Sequence, residues 1–230
     1  SSAASDVYKR QPILGAPYLS FPLSDKRKSG VLPPTINIDN VSGLELTVPY
    51  YFNIAPELDA TVYPTFMSKR GLDFGGELRY LKPSFNGQLR AAYMPGDDLR
   101  NRNRWGYSLQ HAQRLSTGAA LADLGLGAPL GLRLNFNRVS DDNYWRDFPR
   151  SSTSLTSRLL ATEAVLDWNQ GPWSLSAGAY RWQTLQDAES PITPPYDRLP
   201  SVALRFAQDH QRWAGLRGWE WSLQTEYTRF

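Results

Sequence analysis

No cysteine occurs in the chain, and histidine occurs only twice, at His111 and His210. Without thiols there is neither disulfide stapling nor thiolate chemistry, and the redox compartment leaves no trace in the composition. The two imidazoles have no G-x-S-x-G elbow, metal-spaced cluster or phosphate-binding loop beside them, so a hydrolase has no framework to stand on and no cofactor is implied. Asp141, Asp142 and Asn143 resemble the start of a calcium loop, but the glycine and terminal glutamate of that motif are missing. Long apolar runs are lacking as well. None approaches the roughly 18 to 20 residues of a spanning helix, which excludes a helical membrane protein. A mean hydropathy of −0.48 leaves a β-barrel open, because a spanning strand shows only alternate residues to lipid. Charge of one sign is scarce too: 25 basic and 22 acidic residues leave +3, without the clustered excess of a nucleic-acid binder. The head, residues 1–11, has neither the basic nor the apolar region of a secretory signal and carries no strand pattern.

What is present is period two. Leu72, Phe74, Leu78 and Tyr80 alternate with Asp73, Glu77 and Arg79. Leu130, Leu132, Leu134 and Phe136 alternate with Arg133, Asn135 and Asn137. The stretches 173–179 and 219–227 repeat the pattern, and weaker copies run through 44–52, 58–67, 88–94, 105–113, 158–168 and 199–206. Alternation puts successive side chains on opposite faces, so these read as about ten or eleven strands. The Ala/Leu-rich stretch 119–126 contains Gly125 and Gly127 and is read as a loop. Short turns are expected at 68–71, at the Asn86-Gly87 hairpin signal and at 169–172. Longer polar connections are expected at 95–104, 140–154 and 183–198.

Alternation does not distinguish a barrel with its apolar side outward from a soluble sandwich with its apolar side inward. Strand length favours the barrel, since several segments reach about nine to eleven residues, enough to cross a bilayer at the usual tilt. Aromatic residues near segment ends, at Tyr50, Tyr51, Phe52, Tyr93, Trp105, Trp168, Trp173, Tyr180 and Trp182, suit two interfacial girdles. Glu45, Asp59, Asp73, Glu77, Arg79 and Arg90 fall on the polar phase, where a wet lumen would hold them.

Particular motifs go further. The run PILGAPYLSFPLSDKRKSGVLPP (12–34) has a tyrosine-bearing strand, an Asp-Lys-Arg-Lys-Ser-Gly turn and an apolar residue before proline. VPYYFNIAPELDATVYPTFMSKRGL (48–72) follows, with a Met-x-x-Arg-Gly turn at its end. GELRYL from Gly76, YMPGDDL from Tyr93, RW from Arg104, RVSDDNYWRDF from Arg138 and LP from Leu199 continue the series. Together they resemble the LptD family of lipopolysaccharide-assembly proteins from about Pro12 to Phe230.

The resemblance implies an all-β architecture: residues 1–30 as a non-native head and the end of a periplasmic β-jellyroll, and 31–230 as the first part of an antiparallel outer-membrane barrel. It implies lipopolysaccharide transport, with a general porin or transporter barrel, or less readily a hydrolase, as the alternatives. It places Pro34 and Pro49 in the first two barrel strands, at a lateral gate where proline's missing N–H weakens pairing. Lys26, Arg27 and Lys28 are expected to meet lipid phosphates. Asp59, Asp73, Glu77 and Arg79 are expected to line the lumen. The partners implied are lipopolysaccharide, the lipoprotein plug LptE, the periplasmic bridge LptA and outer-membrane lipid.

Overall fold

The computed structural model describes residues 28–118, 122–123, 125, 127–148, 157–213 and 216–230, setting aside the side chains of 39, 209–213, 216–219 and 221. Among the described residues thirteen strands form one antiparallel sheet: β1 (Gly30–Val31), β2 (Thr35–Asp39), β3 (Gly43–Thr47), β4 (Tyr50–Ala55), β5 (Leu58–Met67), β6 (Gly71–Leu81), β7 (Phe85–Asp97), β8 (Arg102–Leu115), β9 (Leu130–Val139), β10 (Leu159–Gln170), β11 (Trp173–Thr184), β12 (Arg198–Trp213) and β13 (Leu216–Thr228). One helical turn, α1 (Tyr144–Asp147), sits between β9 and β10. Each strand from β4 onward pairs with its sequence neighbour, an up-and-down order with no crossover. β1 with β2, and β3 with β4, are each one interrupted strand, so the thirteen elements make eleven barrel strands, within the number that alternation predicts.

Register decides what each face carries. Asn53, Asp59, Arg79, Gln88, Gln110, Asn135, Glu163, Tyr180 and Arg198 are directly paired from β4 to β12 in one polar row. The adjacent row on the other face reads Phe52, Ala60, Leu78, Leu89, Leu109 and Phe136. The apolar face is the exposed one: Ile38 is 79% accessible, Phe74 51% and Leu223 63%, whereas Asp59 is 5% and Thr61 7%. A soluble sandwich buries the opposite set. The chain is therefore a section of a β-barrel, with its apolar belt outward and its polar side within. Aromatics edge that belt. Tyr93 pairs with Trp105, which stacks on Tyr107 at 6.0 Å near one end, and Trp173 meets Phe206 edge-on at 4.7 Å near the other. Tyr51, Tyr180 and Trp182 depart from the girdle expectation. They pair with Thr61, Glu163 and Ala161 on the polar face.

Two turns move from their sequence-based positions. Asn86 and Gly87 lie inside β7, opposite Leu81 and Tyr80, and the connection falls at 82–84, where Pro83 cannot continue the ladder. Gly87 is glycine because the Tyr80 ring lies across it: a Cβ there would stand 2.3 Å from the Tyr80 hydroxyl and 2.6 Å from the Gln110 carbonyl. The long connection expected at 95–104 shrinks to 98–101. Asp97 organises the turn, its carboxylate accepting from the Leu99 amide at 3.0 Å and its carbonyl from Asn101 at 2.7 Å, with Asn101 at φ 51°. Part of 119–126 lies outside the described residues.

Candidate functional site

Pro34 and Pro49 lie at facing interruptions. β1 pairs with β4 through Val31–Tyr50, and β2 with β3 through Thr35–Thr47, so three residues, 32–34, oppose two, 48–49. The Leu32 amide still reaches the Pro49 carbonyl at 2.8 Å, and the Val48 amide reaches Pro64 at 3.2 Å. Neither proline can donate the rung that would close the gap. This two-strand unit ends the sheet, since among the described residues β1 and β2 pair only with β4 and β3. Lys28 is exposed ahead of it. Lys26 and Arg27 lie outside the described residues.

Asp59, Asp73, Glu77 and Arg79 share the polar face. Arg79 donates to Asp59 through Nε at 2.8 Å and Nη2 at 2.9 Å, and the Tyr51 hydroxyl adds a third bond at 3.2 Å. Glu77 accepts from Arg90 at 2.9 Å, and Asp73 pairs with Thr65, whose hydroxyl meets that of Thr47 at 2.8 Å. Arg79 is half-exposed, so its pair contributes about 1 kcal/mol or less. His111 sits on the apolar phase, its Nδ1 2.7 Å from the Tyr80 hydroxyl and its Nε2 3.2 Å from Gln113, in no nucleophile–base pair. The side chain of His210 lies outside the described residues.

The densest constellation was not foreseen from the sequence. Arg70, Asp97, Arg104, Asp141 and Asp147 are all at most 9% exposed, and they meet at the end of the sheet where β5 joins β6, β7 joins β8 and β9 joins β10. Arg104 donates Nε and Nη2 to Asp141, both at 2.9 Å, and Nη1 to Asp97 at 3.0 Å and Asp147 at 2.5 Å. Arg70 reaches Asp97 at 2.6 Å and Asp147 at 3.2 Å, and Arg100 holds Asp147 bidentately at 2.9 and 3.1 Å. Arg104 lies 4.7 Å from the Phe148 ring centroid and Arg70 5.5 Å, so the aromatic covers the ions. Met67, Met94, Val139, Leu160 and Leu185 complete a small apolar core around Tyr144 and Phe148.

Burial by itself would raise the Asp141 and Asp147 carboxyls. Bonds from Ser140 and Arg104 to Asp141, and from Arg100 and Arg104 to Asp147, outweigh it and hold both below the usual carboxylate range. Arg70 Nε is buried without an acceptor, which costs about 1–3 kcal/mol. The sequence signal was there, in arginines and aspartates spread over motifs noted separately: the Met-x-x-Arg-Gly turn, YMPGDDL, RW and RVSDDNYWRDF.

A second group of arginines extends the network sideways. Arg146 pairs with Asp187, Arg158 donates to the carbonyls of Leu185 at 3.2 Å and Ser190 at 2.5 Å, and both guanidinium groups lie over Trp145.

Residues 102–230, more than half of the chain, match the family LptD, described as LPS transport system D. The chain belongs to the LptD family. It is 52% identical over 224 residues to the LPS-assembly protein LptD of Polaromonas sp. (strain JS666), and equally so to that of Albidiferax ferrireducens. Each alignment covers 97% of the chain and 27% of the relative. The LptD of Acidovorax sp. (strain JS42) is 46% identical over 230 residues, again covering 97% of the chain and 27% of the relative. The chain thus spans about a quarter of the length of these LptD relatives.

Proposed function

We propose that this barrel section belongs to an outer-membrane translocon that delivers lipopolysaccharide to the outer leaflet, with lipid tails leaving sideways between the first strand and the barrel's last. The observation that carries the reading is the coincidence of the Pro34 and Pro49 interruptions at the edge of the sheet. A seam short of rungs opens more cheaply than a continuous ladder, and a bilayer tolerates such a seam only where something else satisfies it. The polar face bearing Asp59, Asp73, Glu77 and Arg79 is the lumen, wet enough to pass sugars. The end carrying the connections after β7, β9 and β11 faces outward, and the end carrying the turns after β4, β6 and β10 faces the periplasm. A handover from a periplasmic jellyroll falls near residue 30, where Lys26, Arg27 and Lys28 suit lipid A phosphates. LptE as plug and LptA as periplasmic donor complete the assembly, which acts by transport and not by catalysis.

The test is the pair Pro34→Ala and Pro49→Ala in the full-length protein. Restored donors should strengthen the seam and slow the appearance of new lipopolysaccharide at the cell surface. Export at the wild-type rate in the double variant would remove the gate from the mechanism.

A further inference from the structure

Residues 140–148 do not stand away from the barrel. Met67, Met94, Arg104 and Val139 all point to the polar face, as their cross-strand partners fix, and Tyr144, Asp147 and Phe148 pack on them with at most 5% of each exposed. The segment therefore folds inward across the end of the lumen. Beside this apolar packing it is tied there by charge. Asp147 alone takes three guanidinium groups, Arg104 from the wall strand β8, Arg70 from the β5–β6 turn and Arg100 from the β7–β8 turn, while Asp141 takes Arg104 and Arg102. A buried ionic tie is sensitive to single losses, because loss of one partner leaves the others charged and desolvated, and the segment then releases as a unit.

We infer that Asp147 is the central tie of an ionic latch that holds residues 140–148 as a lid over the outward mouth of the lumen. It keeps solutes from crossing lengthwise while the lateral seam serves the lipid. The direction of the mouth rests on the membrane placement proposed above; the latch itself rests on the geometry of Arg70, Arg100, Arg104 and Asp147.

The lid covers Met94, which is 1% exposed. The test places Met94→Cys in the full-length protein and follows its reaction with a membrane-impermeant maleimide on intact cells, with heat-modifiable gel migration reporting that the barrel is folded. With the latch intact, labelling is slow. Adding Asp147→Asn should speed it on the order of tenfold or more, as expected for losing one partner of a buried ion cluster. Arg100→Gln removes only a half-exposed arm and should give a smaller increase in a barrel that still folds. Unchanged labelling in folded Asp147→Asn overturns the latch. Should that variant not fold, unchanged labelling in Arg100→Gln overturns it equally. Fast labelling that appears only after the outer membrane is permeabilised would instead reverse the orientation and leave the latch standing as a periplasmic one.

Discussion

Arg104 and Asp141 form a two-pronged pair, Nε to Oδ2 and Nη2 to Oδ1, both at 2.9 Å, that joins the wall strand β8 to the connection beyond β9. Such fork-to-fork geometry fixes orientation as well as distance. It therefore sets where residues 140–148 lie.

Acid should undo this arrangement in a defined window. Asp141 and Asp147 have folded-state pKa values below the ordinary carboxylate value, so their contribution is complete above about pH 4 and is lost as the pH falls through the depressed values. Hydrogen exchange of residues 140–148 in the full-length protein, corrected for intrinsic rates, should show protection retained from pH 7 to 5 and falling progressively once the pH drops below about 4. Protection that never falls on acidification would mean that the apolar contacts of Tyr144 and Phe148 hold the segment without the ions.

The two faces of β8 should respond oppositely to the same side chain. Leu109 lies in the apolar row and Gln110 in the polar one. Leu109→Arg, near mid-strand, should cost about 2–4 kcal/mol and reduce assembled barrel in the membrane fraction, whereas Gln110→Arg should assemble normally. Equal assembly of the two would mean the face assignment is wrong.

Gly87 offers a test of close packing. Gly87→Ala should destabilise the barrel by about 1–3 kcal/mol, as overpacking does, read as a lower urea midpoint for the full-length protein. Adding Tyr80→Ala should recover only part of the loss, because the Gln110 carbonyl still blocks the new Cβ. Full recovery would assign the clash to the ring alone.

The Asn86-Gly87 pair shows where local reading fails. As a dipeptide it signals a hairpin, and only the neighbouring strand's Tyr80, lying across it, explains a glycine within β7. Asp97 misleads in the other direction. A polar stretch that looks like a long loop is mostly strand, because one aspartate closes the turn and takes two buried arginines at once.

The sequence by itself determined the strands, since period two is local and survives without knowledge of neighbours, and it determined which residues share a face. It also placed two prolines fifteen positions apart. Only the tertiary structure decided that the apolar face is the outer one, because alternation has no sign until a sheet curves. Only it decided that the two proline interruptions face each other, since register is a relation between strands. The latch was equally out of reach. Arg70 and Asp97 are 27 residues apart and Arg104 and Asp141 are 37, and charges so distant in the chain become partners only when the barrel wall brings their strand ends together.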